Sequence, residues 1–102
     1  MHKIRLLPDK LSVLTPTGGE YGICWLDVYR VHTSRQDLIT ESSRVLYFDY
    51  DYGHYIEVND GMDGFEEMVS RLGEYLTLPA DYRQQIEATQ CHAEPVRLYS
   101  RP

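Results

Sequence analysis

No stretch of this sequence approaches the roughly 20 consecutive apolar residues that carry a helix across a bilayer. The opening run, Met1 to Leu7, stops at Pro8 and is too short for the apolar region of a secretory leader. Paired short spacings of metal ligands are missing too. His2, Cys24, His32, His54, Cys91 and His92 never form two arms with ligands about two to four residues apart, as zinc requires. A faint likeness of Asp49–Gly53 to a calcium loop fails at the closing position, where Asp60 replaces the bidentate glutamate. No glycine-rich phosphate loop occurs, since Gly18-Gly19 leads into no helix. There is no serine-centred elbow either. The adjacent Cys91 and His92 would point to opposite sides of an extended chain, so they cannot work as a dyad. No catalytic residue, metal or cofactor is expected.

Cysteine is scarce, at two residues far apart in sequence, which reads as two buried small hydrophobes and not as a bridge. Phenylalanine is equally scarce, yet tyrosine occurs nine times. Tyrosine suits half-buried sheet positions and contact surfaces, because the ring packs while the hydroxyl stays wet. Positive charge is nearly absent from the middle of the chain. Residues 37–81 hold only Arg44 and Arg71 against eleven carboxylates, a balance of −9 within an overall −6. Such a segment repels phosphate backbones and anionic membranes, so neither nucleic acid nor membrane is an expected partner. A basic protein is favoured electrostatically. The plainer reading, an acidic surface that only keeps the protein soluble, needs no partner. The expected compartment is the cytoplasm.

At 102 residues the chain has room for one domain, residues 1–102, with no repeat and no low-complexity segment. Lys10–Thr15 and Tyr21–Cys24 read as strands around a turn at Thr17–Glu20. A bend at Trp25–Asp27 follows, with the single tryptophan anchoring the corner. Val28–Thr33 reads as the next strand, and Ser34–Ser43 as a loop around Leu38 and Ile39 with room for one short strand inside it. The clearest hairpin is Val45–Tyr50 with His54–Val58, turning at Asp51–Gly53. Its alternation places Leu46, Phe48, Tyr50, Ile56 and Val58 on a core face and Tyr47, Asp49, Tyr55 and Glu57 on a wet one. Asp63 and Glu66 stand at capping-box spacing, and Phe65, Met68, Val69, Leu72 and Leu76 form a helical stripe. Gly73 should weaken its last turn. Pro79 suits the start of a second helix with Tyr82 and Ile86 inward, and Pro95–Ser100 suits a terminal strand with Val96 and Leu98 inward.

Ile23–Val31, Asp37–Thr40, Val45–Phe48, Ile56–Val58 and Gly61–Phe65 are similar to a family of small, uncharacterised bacterial proteins. That resemblance covers roughly residues 10 to 100, and rests on core and turn positions. It implies a fold like the pleckstrin-homology barrel, and it carries no activity. The expected class is therefore α+β: a mainly antiparallel, partly open barrel closed by a helix near 63–76, with a short second helix and a C-terminal tail. About 25 residues beyond the closing helix depart from a minimal barrel of that type.

The candidate surface is the wet side of the central hairpin, with Tyr47, Asp49, Tyr52, Tyr55 and Glu57 on it and Asp51 at its tip. Aromatic area supplies affinity, and carboxylates supply steering. The ordinary alternative is a sheet face with cross-strand tyrosine packing. Arg30, His32 and Arg35, with Lys3, Arg5 and Lys10 near, make a weaker basic patch of the kind lipid-binding barrels use. The reading is a non-enzymatic binding protein that masks a basic partner, in its concrete form an antidote-like or regulatory partner, such as an immunity protein for a bacterial toxin. Its rivals are a ligand-binding or enzymatic barrel holding a small molecule or lipid near Trp25, Tyr29 and Phe48, and a structural module that self-associates through a strand edge.

Overall fold

The computed structural model describes residues 1–38, 41–50 and 53–101. In chain order the strands are β1 (Lys3–Leu6), β2 (Lys10–Leu14), β3 (Glu20–Cys24), β4 (Arg30–Asp37), β5 (Ser42–Tyr50) and β6 (His54–Asn59). The helices α1 (Phe65–Arg71) and α2 (Tyr82–Ala88) follow, then strand β7 (Val96–Ser100). The strands make two antiparallel sheets, one ordered β1-β2-β3 and one ordered β6-β5-β4-β7. Among the described residues no strand of one sheet pairs with a strand of the other, so there is no closed barrel. What holds of the expected architecture is its coarser form: α+β, antiparallel, with two short helices. No helix among the described residues is long and apolar enough to cross a membrane.

Both sheets feed one core. Leu11 and Val13 of β2, Val31 of β4, and Leu46 and Phe48 of β5 are fully buried with Val58, Met68 and Leu72. The hairpin alternation holds as expected, with Ile56 and Val58 opposite Phe48 and Leu46. The stripe Phe65, Met68, Val69, Leu72 and Leu76 is buried throughout, but the helix expected to about residue 76 ends at Arg71: Leu72–Glu74 is a 3₁₀ turn, and Leu76 lies beyond it. Trp25 anchors its corner: the indole Nε1–H donates to Leu7 C=O at 2.9 Å, and the ring stacks on Tyr75 at 4.7 Å. The bend Trp25–Asp27 is a single 3₁₀ turn. In β7 the register shifts between Val31 and His32, so that Leu98 is the extra residue and turns into the core.

Several local expectations need correction. Lys3–Leu6 is a strand, and its backbone also binds the segment before α1: Ile4 N–H donates to Asp63 C=O, and Asp63 N–H to His2 C=O. That pairing takes Asp63 out of the helix, which begins at Phe65 with no side-chain cap. Gly64 stands in the capping position at φ 88°, where an added Cβ would lie 2.7 Å from Ile4 O. The strand expected at Val28–Thr33 is β4, which starts at Arg30 and runs to Asp37, because Ser34–Asp37 pair with Ser42–Val45 despite their polarity. Leu38 N–H then closes the turn on Glu41 C=O, and Ile39 lies outside the described residues. Finally, Cys24 is exposed and Cys91 half-buried; both are free thiols, and neither is a core hydrophobe.

Pro79 precedes α2 instead of opening it: its carbonyl accepts from Tyr82 N–H, and Tyr82 and Ile86 face inward. The buried Tyr82 hydroxyl donates to Val69 C=O at 2.6 Å, tying α2 to α1. Tyr82→Phe deletes the donor and leaves that lone pair without a partner in a dry place. Chemical denaturation should show a loss of about 1–2 kcal/mol with an unchanged m-value.

Candidate functional site

The outer face of the four-stranded sheet carries the residues singled out from the sequence. Cross-strand pairing sets His32 beside Tyr47, Tyr47 beside Glu57, and Arg30 and Tyr55 on either side of Asp49. All of these side chains share one face, because directly paired residues point the same way. A cavity of about 570 Å³, open to solvent, is lined by His32, Tyr47, Asp49, Tyr55, Glu94 and Pro95. It forms because the chain returns to pair β7 with β4, laying Glu94 and Pro95 along the rim of that face.

The tyrosines form its apolar wall. Tyr47 and Tyr55 meet edge-to-face with ring centroids 5.5 Å apart, and the Tyr47 hydroxyl is 3.3 Å from Ser34 Oγ. Tyr55 remains 57% exposed, so its outward ring face is available for contact. At the floor, Asp49 Oδ2 lies 3.4 Å from Arg30 Nε and 3.5 Å from His32 Nδ1. Arg30 in turn lies over the Tyr29 ring, 4.9 Å from its centroid, and donates to the Tyr29 hydroxyl. Asp49 therefore has a neighbouring cation already, while Glu94 at the rim is exposed with no salt bridge among the described residues.

Tyr47, Asp49 and Tyr55 are thus brought together as expected. Glu57 lies one pair further along and lines the adjoining groove. Asp51 and Tyr52 lie outside the described residues. The basic patch does not assemble, because Arg30 and His32 face Asp49 on the outer side. Arg35, on the opposite face, donates to Thr89 C=O and Glu87 C=O at the end of α2. Trp25 and Phe48, which the ligand-barrel alternative places around a pocket, belong to the core cluster. His92 pairs with Asp37 at 3.3 Å and makes no contact of its ring with Cys91 among those described.

Three residues of the cavity were not foreseen. His32 was readable once β4 and β5 are paired, since it stands opposite Tyr47. Glu94 and Pro95 sit more than thirty residues from the hairpin, and no local pattern signals their place. No group of three or more histidine, cysteine or carboxylate side chains fit to hold a metal occurs among the described residues. No family model, no curated protein and no solved structure matches this chain.

Proposed function

We propose that the outer face of the four-stranded sheet binds a basic protein, receiving a lysine or arginine side chain between the tyrosines and the carboxylates of the cavity. The observation that carries this is the convergence of Tyr47, Tyr55 and Pro95 with Asp49 and Glu94 in one open cavity. Ring faces attract a cation by about 0.5–2 kcal/mol each when it is desolvated, and a carboxylate fixes its direction. An incoming guanidinium or ammonium would share Asp49 with Arg30 and meet Glu94 unopposed. The acidic middle of the chain steers encounter, and the tyrosines supply contact area.

In cellular terms the reading is a cytoplasmic masking protein, an antidote-like or immunity-like partner that acts by occlusion and performs no chemistry. The resemblance to small bacterial proteins with a pleckstrin-homology-like barrel goes with it. On that reading the two sheets are halves of an opened barrel, supported by the single core they share.

Titration with a capped tri-lysine peptide, followed by the ring signals of Tyr47 and Tyr55, tests the cavity. Saturable shifts at both rings and at His32 are expected, absent with a norleucine analogue and weakened by salt. Tyr55→Ala and Glu94→Gln should each weaken binding by about tenfold or less, and together by more. Unmoved tyrosine signals at millimolar peptide would end the proposal.

A further inference from the structure

Beside the cavity, the two sheets present each other with strand edges that nothing covers among the described residues. In the β2–β3 ladder, Thr15 N–H donates to Gly19 C=O at one end and Trp25 N–H to Asp9 C=O at the other. Hydrogen-bonded pairs alternate along such a ladder, so Tyr21 and Ile23 turn their backbone groups toward β2. Gly22 consequently turns its N–H and C=O away, at the free edge. The same counting applies to β6. Arg44 C=O accepts from Asp60 N–H, so Val58, Ile56 and His54 bond to β5 while Tyr55, Glu57 and Asn59 point outward. Asn59 C=O is taken by Met62 N–H within the following turn. Among the described residues, what stays open on β6 is the N–H and C=O of Tyr55 and Glu57 and the N–H of Asn59.

Between these edges runs a groove of about 630 Å³, lined by Tyr21 and Gly22 of β3, by Tyr55, Ile56 and Glu57 of β6, and by Met62. Among the described residues that line it, Glu57 is the one ionised side chain, and the field of that carboxylate reaches Tyr21. Burial first, and Glu57 second, push the Tyr21 hydroxyl above its ordinary value.

We propose that an extended segment of a partner protein adds as a strand to the β6 edge, with a lysine or arginine directly opposite Glu57 and apolar side chains at alternate positions facing Ile56 and Met62. Unpaired strand groups are satisfied by an extended backbone and by little else. Residues paired directly across a ladder share a face, so the segment's charged positions fall beside Tyr55 and Glu57, and the positions between them point into the groove. A second copy of this chain fits worse. With both main-chain groups open only at Tyr55 and Glu57 among the described residues, two β6 edges that pair these residues antiparallel bring their Glu57 carboxylates opposite or diagonal to each other, on molecules of net charge −6. The proposal goes beyond the cation cavity, with which it shares Tyr55 and the partner's positive charge. It draws its affinity from main-chain groups that no side-chain substitution in the cavity removes.

The probe is a capped seven-residue peptide of alternating valine and lysine, added to the intact protein while amide hydrogen exchange is followed. Exchange at Tyr55 and Glu57 should slow at least tenfold. N-methylation at the lysines, whose N–H groups face β6, should weaken binding at least tenfold, as should replacing the lysines by glutamate. Glu57→Gln should lower affinity several-fold with folding intact, and Tyr47→Ala should leave the strand addition in place. Unslowed amides at Tyr55 and Glu57, or equal affinity of the N-methylated peptide, would overturn the proposal. So would slow exchange without peptide accompanied by a dimer mass, which would assign the edge to self-pairing. Peptide effects confined to Tyr47, His32 and Asp49 would overturn it while leaving the cavity reading intact.

Discussion

Arg44→Leu should lower the unfolding free energy by about 2–3 kcal/mol and the melting temperature by roughly 10–20 °C. Arg44 stands on β5, on the side of the sheet that α1 and α2 cover, with its side chain only 18% exposed. Its Nε donates to Asp60 Oδ2 at 3.1 Å, its two terminal nitrogens donate to Glu66 of α1 and Glu87 of α2, and its guanidinium lies over the Phe65 ring. One cation thus joins the sheet to both helices. Glu66 and Glu87 are largely exposed and return to water at little cost when it is lost. Asp60 is the expensive partner. It is three-quarters covered, and it also accepts from Ser43 Oγ at 2.8 Å and from Arg44 N–H at 3.1 Å. Removing the guanidinium leaves three carboxylates facing one another with no cation between them.

Acid should reproduce part of that loss. Burial pushes the Asp60 carboxyl up, but hydrogen bonds from the Arg44 N–H, the Ser43 hydroxyl and the Arg44 side chain together outweigh burial and hold it below its ordinary value. A carboxyl depressed by folding contributes stability above its unfolded pKa, about 3.9 for aspartate, and gives it up as pH falls through the lower folded value. Stability should therefore fall below about pH 4, and Asp60→Asn should flatten that limb while lowering the plateau. Arg71 supplies the contrast. It meets Glu67 and Glu74 on the open surface of α1, and Arg71→Ala should leave the melting temperature within experimental error. Equal effects at Arg44 and Arg71 would show that the buried junction has no special weight.

Gly22→Ala is expected to do still more damage, at least ~3 kcal/mol, with loss of the β2–β3 ladder. A Cβ at this position would sit 2.2 Å from Leu11 O and 3.2 Å from Ser12 Cα, both main-chain atoms of the paired strand. No rotamer change relieves such a contact, so β3 must leave β2 or fail to pair. Gly73→Ala is the matched control: its Cβ would meet only the Tyr82 ring edge at 3.8 Å, an ordinary contact. That substitution should be neutral or slightly stabilising, since it also stiffens the unfolded chain. Proton spectra and thermal melts of the two variants separate the cases, and a folded Gly22→Ala protein with wild-type stability would contradict the close approach of the strands.

What the sequence disclosed follows from the range of the forces involved. Alternation in Val45–Val58 and the stripe from Phe65 to Leu76 are local patterns with one solution each, and both stand in the structure. β1 escaped because four residues before a proline carry too little alternation to be read alone, even though its ladder partner β2 follows at once; its second contact, Asp63, is sixty residues away. The polar end of β4 escaped for a different reason: Ser34–Asp37 resemble a loop because pairing with β5, not burial, holds them extended. Asp63 illustrates competition, since a capping role for its side chain lost to two main-chain bonds with β1. Of the candidate site, Tyr47, Asp49 and Tyr55 were legible from period-two alternation. The neutralising approach of Arg30 and His32 to Asp49 depends on the neighbouring strand's register. The rim formed by Glu94 and Pro95 depends on the pairing of the last strand with β4, which no residue near that strand announces.

Because β7 pairs with β4, the larger sheet is finished only by residues 96–100. A nascent chain emerging from the ribosome can form its hairpins early, yet β4 keeps one flank open until nearly all of these 102 residues have been made. Translation must therefore run almost to the end of this segment before Glu94 and Pro95 reach Tyr47 and Tyr55, so the surface that would meet a partner matures after the scaffold that carries it.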